Sequence, residues 1–211
     1  RDRDVTGVQT CALPILTGHH STSDADIFAA LQLEKVPSFL SLDTANREER
    51  LKQLPWVKEA HLKRIWPNQV AVSIKEREPF GIWKLENSAF LIDVEGKTLG
   101  PLKKDVDLQL PKFSGQGANT HASEFWSLMQ TYPRIREKIV TAEFIDKRRW
   151  SLKLKDGVLI DLPTNKESAA LSLLASNPRL YALLNDSSCN LDLRFSNRII
   201  LRESQKGKST T

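Results

Sequence analysis

Val57-Lys58-Glu59-Ala60-His61-Leu62-Lys63-Arg64-Ile65-Trp66-Pro67-Asn68-Gln69-Val70-Ala71-Val72-Ser73-Ile74-Lys75 is the stretch that decides the architecture. Val57, then Ala60, Leu62, Arg64 and Trp66 lead to a turn at Pro67-Asn68. Val70, Val72 and Ile74 follow, with Ala71, Ser73 and Lys75 between them. Alternation on both sides of a turn predicts a hairpin with one buried face. Upstream the period is helical. Ser23, with Asp26 three residues on, resembles a capping box with Asp in the Glu/Gln place, and Ile27, Ala30 and Leu31 continue as a short amphipathic helix over 21–33. Asp43 is placed to cap a second helix whose Leu51 and Leu54 share a face and which Pro55 stops. With a possible strand before Thr17, residues 16–78 read as two helices on one side of a three-stranded sheet, ending near Glu78-Pro79.

Beyond Pro79 the chain reads mainly as strands. They are expected at 80–84 and at 89–93, the latter closed by Glu95-Gly96, before a loop rich in Pro, Gly and Lys that runs through Asn119. A helix over 123–132 follows. Residues 143–145 and 150–155 alternate, and Asp156-Gly157 is a two-residue hairpin signal leading to 158–162. Thr164 and Glu167 suggest another capping box, for a helix to about residue 175, and Asn177-Pro178 starts a further short one. Leu191, Leu193 and Phe195 alternate with Asp192, Arg194 and Ser196, and after Asn197-Arg198 comes a last strand over 199–201. The fold class expected is α+β: the small unit, then a larger antiparallel-sheet domain with flanking helices over 79–202. The polar tail, 203–211, is expected to be disordered.

Residues 1–15 carry no apolar periodicity, and Pro14 interrupts their one apolar stretch. The charged start is half acidic and no small-residue cleavage site follows, so the segment does not read as a signal peptide. It resembles translated sequencing-adapter DNA and is expected to be foreign and to contribute nothing to the fold. No run of about eighteen apolar residues occurs, so no segment of this chain is expected to span a bilayer.

With 211 residues and 40% hydrophobic content the chain can fill one large core or two small ones. The net charge of +5 arises from 31 basic and 26 acidic residues mixed along the chain, which describes a solvated surface and does not imply nucleic acid. Of two cysteines, Cys11 lies in the segment set aside and Cys189 would stand alone, so no disulfide framework is expected.

The search for chemistry finds no catalytic, metal or cofactor site. The four histidines are scattered: His19 and His20 are adjacent, a poor geometry for one metal ion, His61 reads as a surface imidazole, and His121 precedes a helix. No Gly-x-Ser-x-Gly elbow exists. Gly207-Lys208-Ser209-Thr210 imitates a phosphate-binding loop, but Arg202 stands where the first glycine belongs. Glu76 and Glu78 share a strand face, yet Lys75 and Arg77 beside them indicate charge balancing rather than a carboxylate pair. The five tryptophans, Trp56, Trp66, Trp83, Trp126 and Trp150, are dispersed and read as core anchors. Lys147-Arg148-Arg149 is a basic cluster that fits a solvated turn or an acidic partner.

Leu54-Pro55-Trp56-Val57, then Ala60, Arg64, Trp66-Pro67-Asn68 and Glu76-Arg77-Glu78-Pro79, resemble the bacterial cell-division family FtsQ/DivIB, in which these pieces mark a POTRA unit. Leu91-Ile92-Asp93 with Gly96, Lys147-Arg148-Arg149-Trp150 and Leu191-Asp192-Leu193-Arg194-Phe195 resemble signatures of the family's second, strand-rich domain. The resemblance covers about Thr17 to Arg202. It implies a non-enzymatic, single-pass inner-membrane protein with both domains in the periplasm at the division septum, its membrane helix missing from this chain. It further implies that the POTRA unit engages other division proteins, that the second domain binds FtsB with FtsL, and that this couples assembly to septal wall synthesis. The mechanism implied is β-strand addition to the last strand. Carried over by position, the partner-binding residues are Lys147, Arg148, Phe195 and Ser196, with Ile199, Ile200, Leu201 and Arg202 on the edge. The family position of Phe195 often holds tyrosine, whose hydroxyl is absent here. A POTRA unit also occurs in chaperone and secretion modules for outer-membrane β proteins, which is the alternative reading, but no barrel-like series of strands follows.

Overall fold

The computed structural model describes residues 13–35, 41–102, 108–186, 189–195 and 198–203. Two compact units divide between Glu78 and Pro79.

The first unit contains β1 (Leu13–Thr17), α1 (Asp24–Leu31), α2 (Thr44–Lys52), β2 (Val57–Ile65) and β3 (Gln69–Glu76), with sheet order β1-β3-β2. The hairpin forms as its alternation requires: Ala60 lies opposite Ile74, Leu62 opposite Val72 and Arg64 opposite Val70. Val57 and Ala60 are three apart, yet both are fully buried. The register shifts between Val57 and Glu59, and the extra residue of this bulge returns Val57 to the core face. Ile27 and Leu31 of α1 and Leu51 of α2 close the core over Val70, Val72 and Ile74.

Both helices begin as their capping residues dictate. Ser23 Oγ accepts the Asp26 N–H at 3.1 Å and donates to Asp26 Oδ2 at 2.7 Å, so the shorter acid bonds the cap hydroxyl. Asp43 Oδ1 accepts the Asn46 N–H at 3.1 Å.

The expectation that residues 1–15 contribute nothing is corrected for the last three of them. Leu13, Pro14 and Ile15 pair in parallel with Gln69, Val70 and Ala71. Strand pairing is made by backbone groups, so it does not require these residues to carry an apolar pattern; Ile15 is 44% exposed. Residues 1–12 lie outside the described residues.

Glu76, read from sequence as charge balancing, has a definite task. Its carboxylate accepts the Ser21 N–H at 3.0 and 2.9 Å and the Thr22 N–H at 2.8 Å, tying the end of β3 to the approach to α1. Burial raises its pKa, but the hydrogen bonds from Ser21, Thr22 and His20 outweigh that and bring it down to about 2. Because the folded value lies below the unfolded one, this contribution is full above about pH 4.5 and is lost as pH falls toward 2. Glu76→Gln should cost roughly 1–2 kcal/mol at neutral pH, the carboxylate being partly open to solvent. It should also flatten the loss of first-unit stability between pH 4.5 and 2, read as urea midpoints against pH; an unchanged pH slope would remove Glu76 from that role.

The second unit holds β4 (Gly81–Leu85), β5 (Ser88–Ile92), β6 (Thr98–Pro101), β7 (Lys112–Ser114), α3 (Ala118–Gln130), α4 (Pro133–Arg136), β8 (Ile139–Ile145), β9 (Arg149–Leu154), β10 (Leu159–Asp161), α5 (Glu167–Ser176), α6 (Pro178–Ala182), β11 (Cys189–Asp192) and β12 (Ile200–Glu203). Among the described residues these strands form one nine-stranded sheet, ordered β12-β11-β10-β9-β8-β7-β4-β5-β6. The hairpins are antiparallel, whereas β4–β7, β7–β8 and β10–β11 are parallel. Helices cause two of these: α3–α4 and α5–α6 each carry the chain back to the end of the sheet it left, so the strands they join run the same way.

The Asp156-Gly157 hairpin sets Leu152 opposite Ile160. α3 starts at Ala118, five residues before the predicted start, because its N-cap is Gly117 at φ 80° with no side-chain cap for the sequence to announce. Its Ala118, Ala122, Phe125 and Met129 make one buried face. The Thr164 capping box does not form: Lys166 is the N-cap of α5, and Glu167 reaches back to the Asn165 N–H at 3.2 Å. Asp93, 2% exposed, closes the turn after β5 by accepting the Glu95 and Lys97 N–H groups at 3.0 and 2.8 Å. Gly96 in that turn has φ 79°, and a Cβ there would meet Asn119 O at 2.6 Å, which accounts for the glycine of the motif.

The tryptophans divide. Trp150 is buried, and Trp83 and Trp126 pack against the same core. Trp56 is half-buried, and Trp66 is 73% exposed at the hairpin tip, where the turn carries it off the buried face. Glu203, expected in a disordered tail, belongs to β12 and lies opposite Cys189; residues 204–211 lie outside the described residues.

Candidate functional site

β12 ends the nine-stranded sheet, with β11 on one side and no strand on the other among the described residues. Its register sets Ile200 opposite Asp192, Leu201 opposite Leu191 and Arg202 opposite Asn190. Which residues face the open side follows from one bond. Leu193 N–H donates to Asp161 O of β10 at 2.9 Å, so Leu193 and Leu191 direct their backbone groups toward β10, and Asp192 and Asn190 toward β12. Ile200 and Arg202 are therefore the inward, ladder-bonding residues. Leu201 and Glu203 present N–H and C=O to the open edge, and Ile199 continues that alternation just before the strand.

The edge is fixed by a charge cluster that periodicity does not reveal. Asp192 alternates with leucines and reads as a solvent-facing acid, but its side chain is 2% exposed. Arg194 Nε and Nη2 donate to it at 2.8 and 2.6 Å, and Arg202 Nη2 at 2.7 Å. The Arg194 hydrogen bond, with both guanidinium charges, holds the Asp192 carboxyl below the usual carboxylate range against the opposing effect of burial. Arg202, predicted to meet a partner, thus spends its guanidinium on joining β12 to β11. The hint available in sequence is an acid two residues before one arginine and ten before another.

Phe195 is 42% exposed and lies under the Arg198 guanidinium, 4.7 Å from the ring centroid. With Ile199, Leu193, Ala169, Leu173 and Lys166 it lines an apolar hollow of about 280 Å³ between α5 and the approach to β12. Ser196 lies outside the described residues. Lys147 and Arg148 are on the turn between β8 and β9, both exposed, and Arg148 is 3.5 Å from Asp146. Asp146 and Lys147 adopt φ of 51° and 54°, and Arg148 N–H closes the turn on Ile145 O at 3.1 Å. This turn overlooks a second hollow of about 700 Å³ lined by His121, Phe125, Phe144 and Trp150. The third base of the cluster, Arg149, faces Asp161 at 3.5 Å. The β10–α5 connection borders both hollows, Pro163 and Lys166 lining one, Thr164 and Asn165 the other. The structure therefore gathers Lys147, Arg148, Phe195, Ile199 and Leu201 around one end of the second unit, without bringing the basic turn into contact with the edge. Among the described residues no cluster of three His, Cys, Asp or Glu side chains could hold a metal ion.

Comparison with known proteins identifies the family of both units. The FtsQ-type POTRA domain family matches residues 15–77, and the C-terminal domain family of the cell division proteins FtsQ/DivIB matches residues 81–194. Cell division protein FtsQ of Rhizobium meliloti (strain 1021) is 32% identical over 183 residues, 87% of this chain and 59% of that protein. FtsQ of Rhizobium radiobacter is 33% identical over 181 residues, 86% of each. FtsQ of Rickettsia prowazekii (strain Madrid E) is 32% identical over 191 residues, 90% of this chain and 70% of that protein. The chain thus spans 59% of the length of the Rhizobium meliloti relative. A POTRA unit followed by the strand-rich domain, each matched along nearly its whole length, shows that the chain belongs to the FtsQ/DivIB family of cell division proteins.

Proposed function

We propose that this chain is the periplasmic part of an inner-membrane division scaffold, which binds FtsB together with FtsL by adding a partner strand to β12 and so links assembly at the septum to wall synthesis. The observation that carries this reading is the terminal position of β12, whose outward Leu201 and Glu203 offer backbone donors and acceptors at strand spacing. Main-chain bonds of this kind give affinity, and neighbouring pockets select side chains. The apolar hollow at Phe195 and Ile199 suits an apolar side chain of the added segment. Lys147 and Arg148 suit an acidic residue further along it. The POTRA unit is left for other division proteins, and the membrane anchor for chain upstream of β1.

Calorimetric titration with an FtsB periplasmic peptide tests the reading, and Lys147→Gly sharpens it. A lysine at positive φ is held in a conformation glycine adopts freely, so the variant should match or exceed the parent in stability by up to about 1 kcal/mol. Binding should weaken roughly threefold to tenfold and become less salt-sensitive. A peptide that fails to bind the parent chain sinks the reading; undiminished binding by Lys147→Gly removes the basic turn from it.

A further inference from the structure

The β2–β3 hairpin ends in the most exposed large apolar side chain among the described residues, Trp66 at 73%, beside Ile65 at 36%. Its charge is one-sided. From Ala60 to Lys75 there is no Asp or Glu, while Lys63 and Arg64 stand next to the tip and are exposed. Among the described residues Glu48 accepts the Leu62 N–H at 2.7 Å part way along β2, and Glu59 pairs with Lys75 at 3.2 Å nearer the hairpin base. An exposed indole and an isoleucine flanked by cations form the pattern that settles at a lipid headgroup layer, the ring among the headgroups and the cations on phosphate.

Strand register adds a direction. β1 runs parallel to β3 with Leu13 opposite Gln69, so chain arriving at β1 reaches the sheet at the end that carries Trp66. We infer that the Trp66 tip is a membrane-contact site for anionic phospholipid, placed on the bilayer-facing end of the first unit. The inference rests on the anchored reading above for that orientation. One aromatic, one aliphatic and two cationic side chains give weak affinity alone, and tethering at the N-terminus raises it through effective concentration.

The test is fluorescence quenching with the full chain tethered by an N-terminal histidine tag to nickel-chelating vesicles. These contain phosphatidylethanolamine and phosphatidylglycerol with brominated acyl chains. Emission of the parent minus that of Trp66→Phe isolates this indole among the five tryptophans. The difference signal should be quenched severalfold, and far less in phosphatidylcholine vesicles or after Lys63→Glu with Arg64→Glu, all variants melting like the parent. A difference signal that stays unquenched, or is quenched equally without anionic lipid, overturns the proposal. So does a Trp66 shift that appears only with added envelope proteins, which would make the tip a protein site. The tether supplies the anchoring, so a negative result counts against the tip alone. The anchored reading is tested separately by membrane fractionation of cells that express the protein from its own gene.

Discussion

Leu201→Pro should abolish strand addition, weakening FtsB-peptide binding on the order of 100-fold while the domain stays folded, whereas Ile200→Pro should damage the fold itself. The two residues are neighbours with the same chemistry, so their difference lies in backbone direction alone. At Leu201 the proline removes a donor that faces the open edge and sets its ring where the partner backbone must come. Loss of one main-chain bond accounts for about 1 kcal/mol, and the steric block on adjacent bonds for the rest. At Ile200 it removes a ladder bond to Asp192. A strand detached there would also carry Arg202 away and leave the Asp192 carboxylate with Arg194 only. Circular dichroism and melting separate the outcomes: native spectrum without binding for Leu201→Pro, early melting for Ile200→Pro. If Leu201→Pro binds like the parent, the partner does not add to β12. If Ile200→Pro melts like the parent, the inward and outward assignments are reversed.

What could be read from sequence here is what repeats locally. The hairpins around Pro67-Asn68 and Asp156-Gly157 were legible because period-two burial and turn chemistry lie within a dozen residues. The α3 start was hidden because an αL glycine cap leaves no side-chain signal. A strand before Thr17 was expected, but the start of β1 at Leu13 was obscured because its partner lies more than fifty residues away and its pairing is made by backbone. The same separation concealed the role of Glu76, whose acceptor bonds reach Ser21 and Thr22 across 55 and 54 residues.

The candidate site divides along the same line. Lys147, Arg148 and Phe195 sit in short recognisable motifs, and the structure exposes all three. Asp192 looks like the polar half of an alternating strand and is instead a buried acceptor, because Arg202 of the paired strand β12 meets it. Sequence pattern reports which face a residue should occupy, not which distant charge makes burial of an acid tolerable.

Trp150→Ala should be the most damaging single truncation in the second unit. The ring lies 4.4 Å from Phe125, 4.7 Å from Phe144 and 6.1 Å from Phe113, centroid to centroid, so three aromatic contacts and a full indole volume are lost together. Large-to-small changes of this kind cost about 3–5 kcal/mol, and the cavity has little means of closing because its walls are β8, β9 and α3. At a few degrees per kcal/mol the second unit should melt roughly 10 °C or more below the parent, followed by near-ultraviolet circular dichroism. Trp66→Ala, which removes the same side chain from an exposed tip, should stay within about 0.5 kcal/mol of the parent. Trp150→Phe refills most of the volume and should recover over half of the loss. Because Trp150 also floors the hollow beneath Lys147 and Arg148, binding measured below the melting range should fall in the alanine variant and return in the phenylalanine one. A drop of less than 3 °C for Trp150→Ala would show that this aromatic cluster does not hold the unit together.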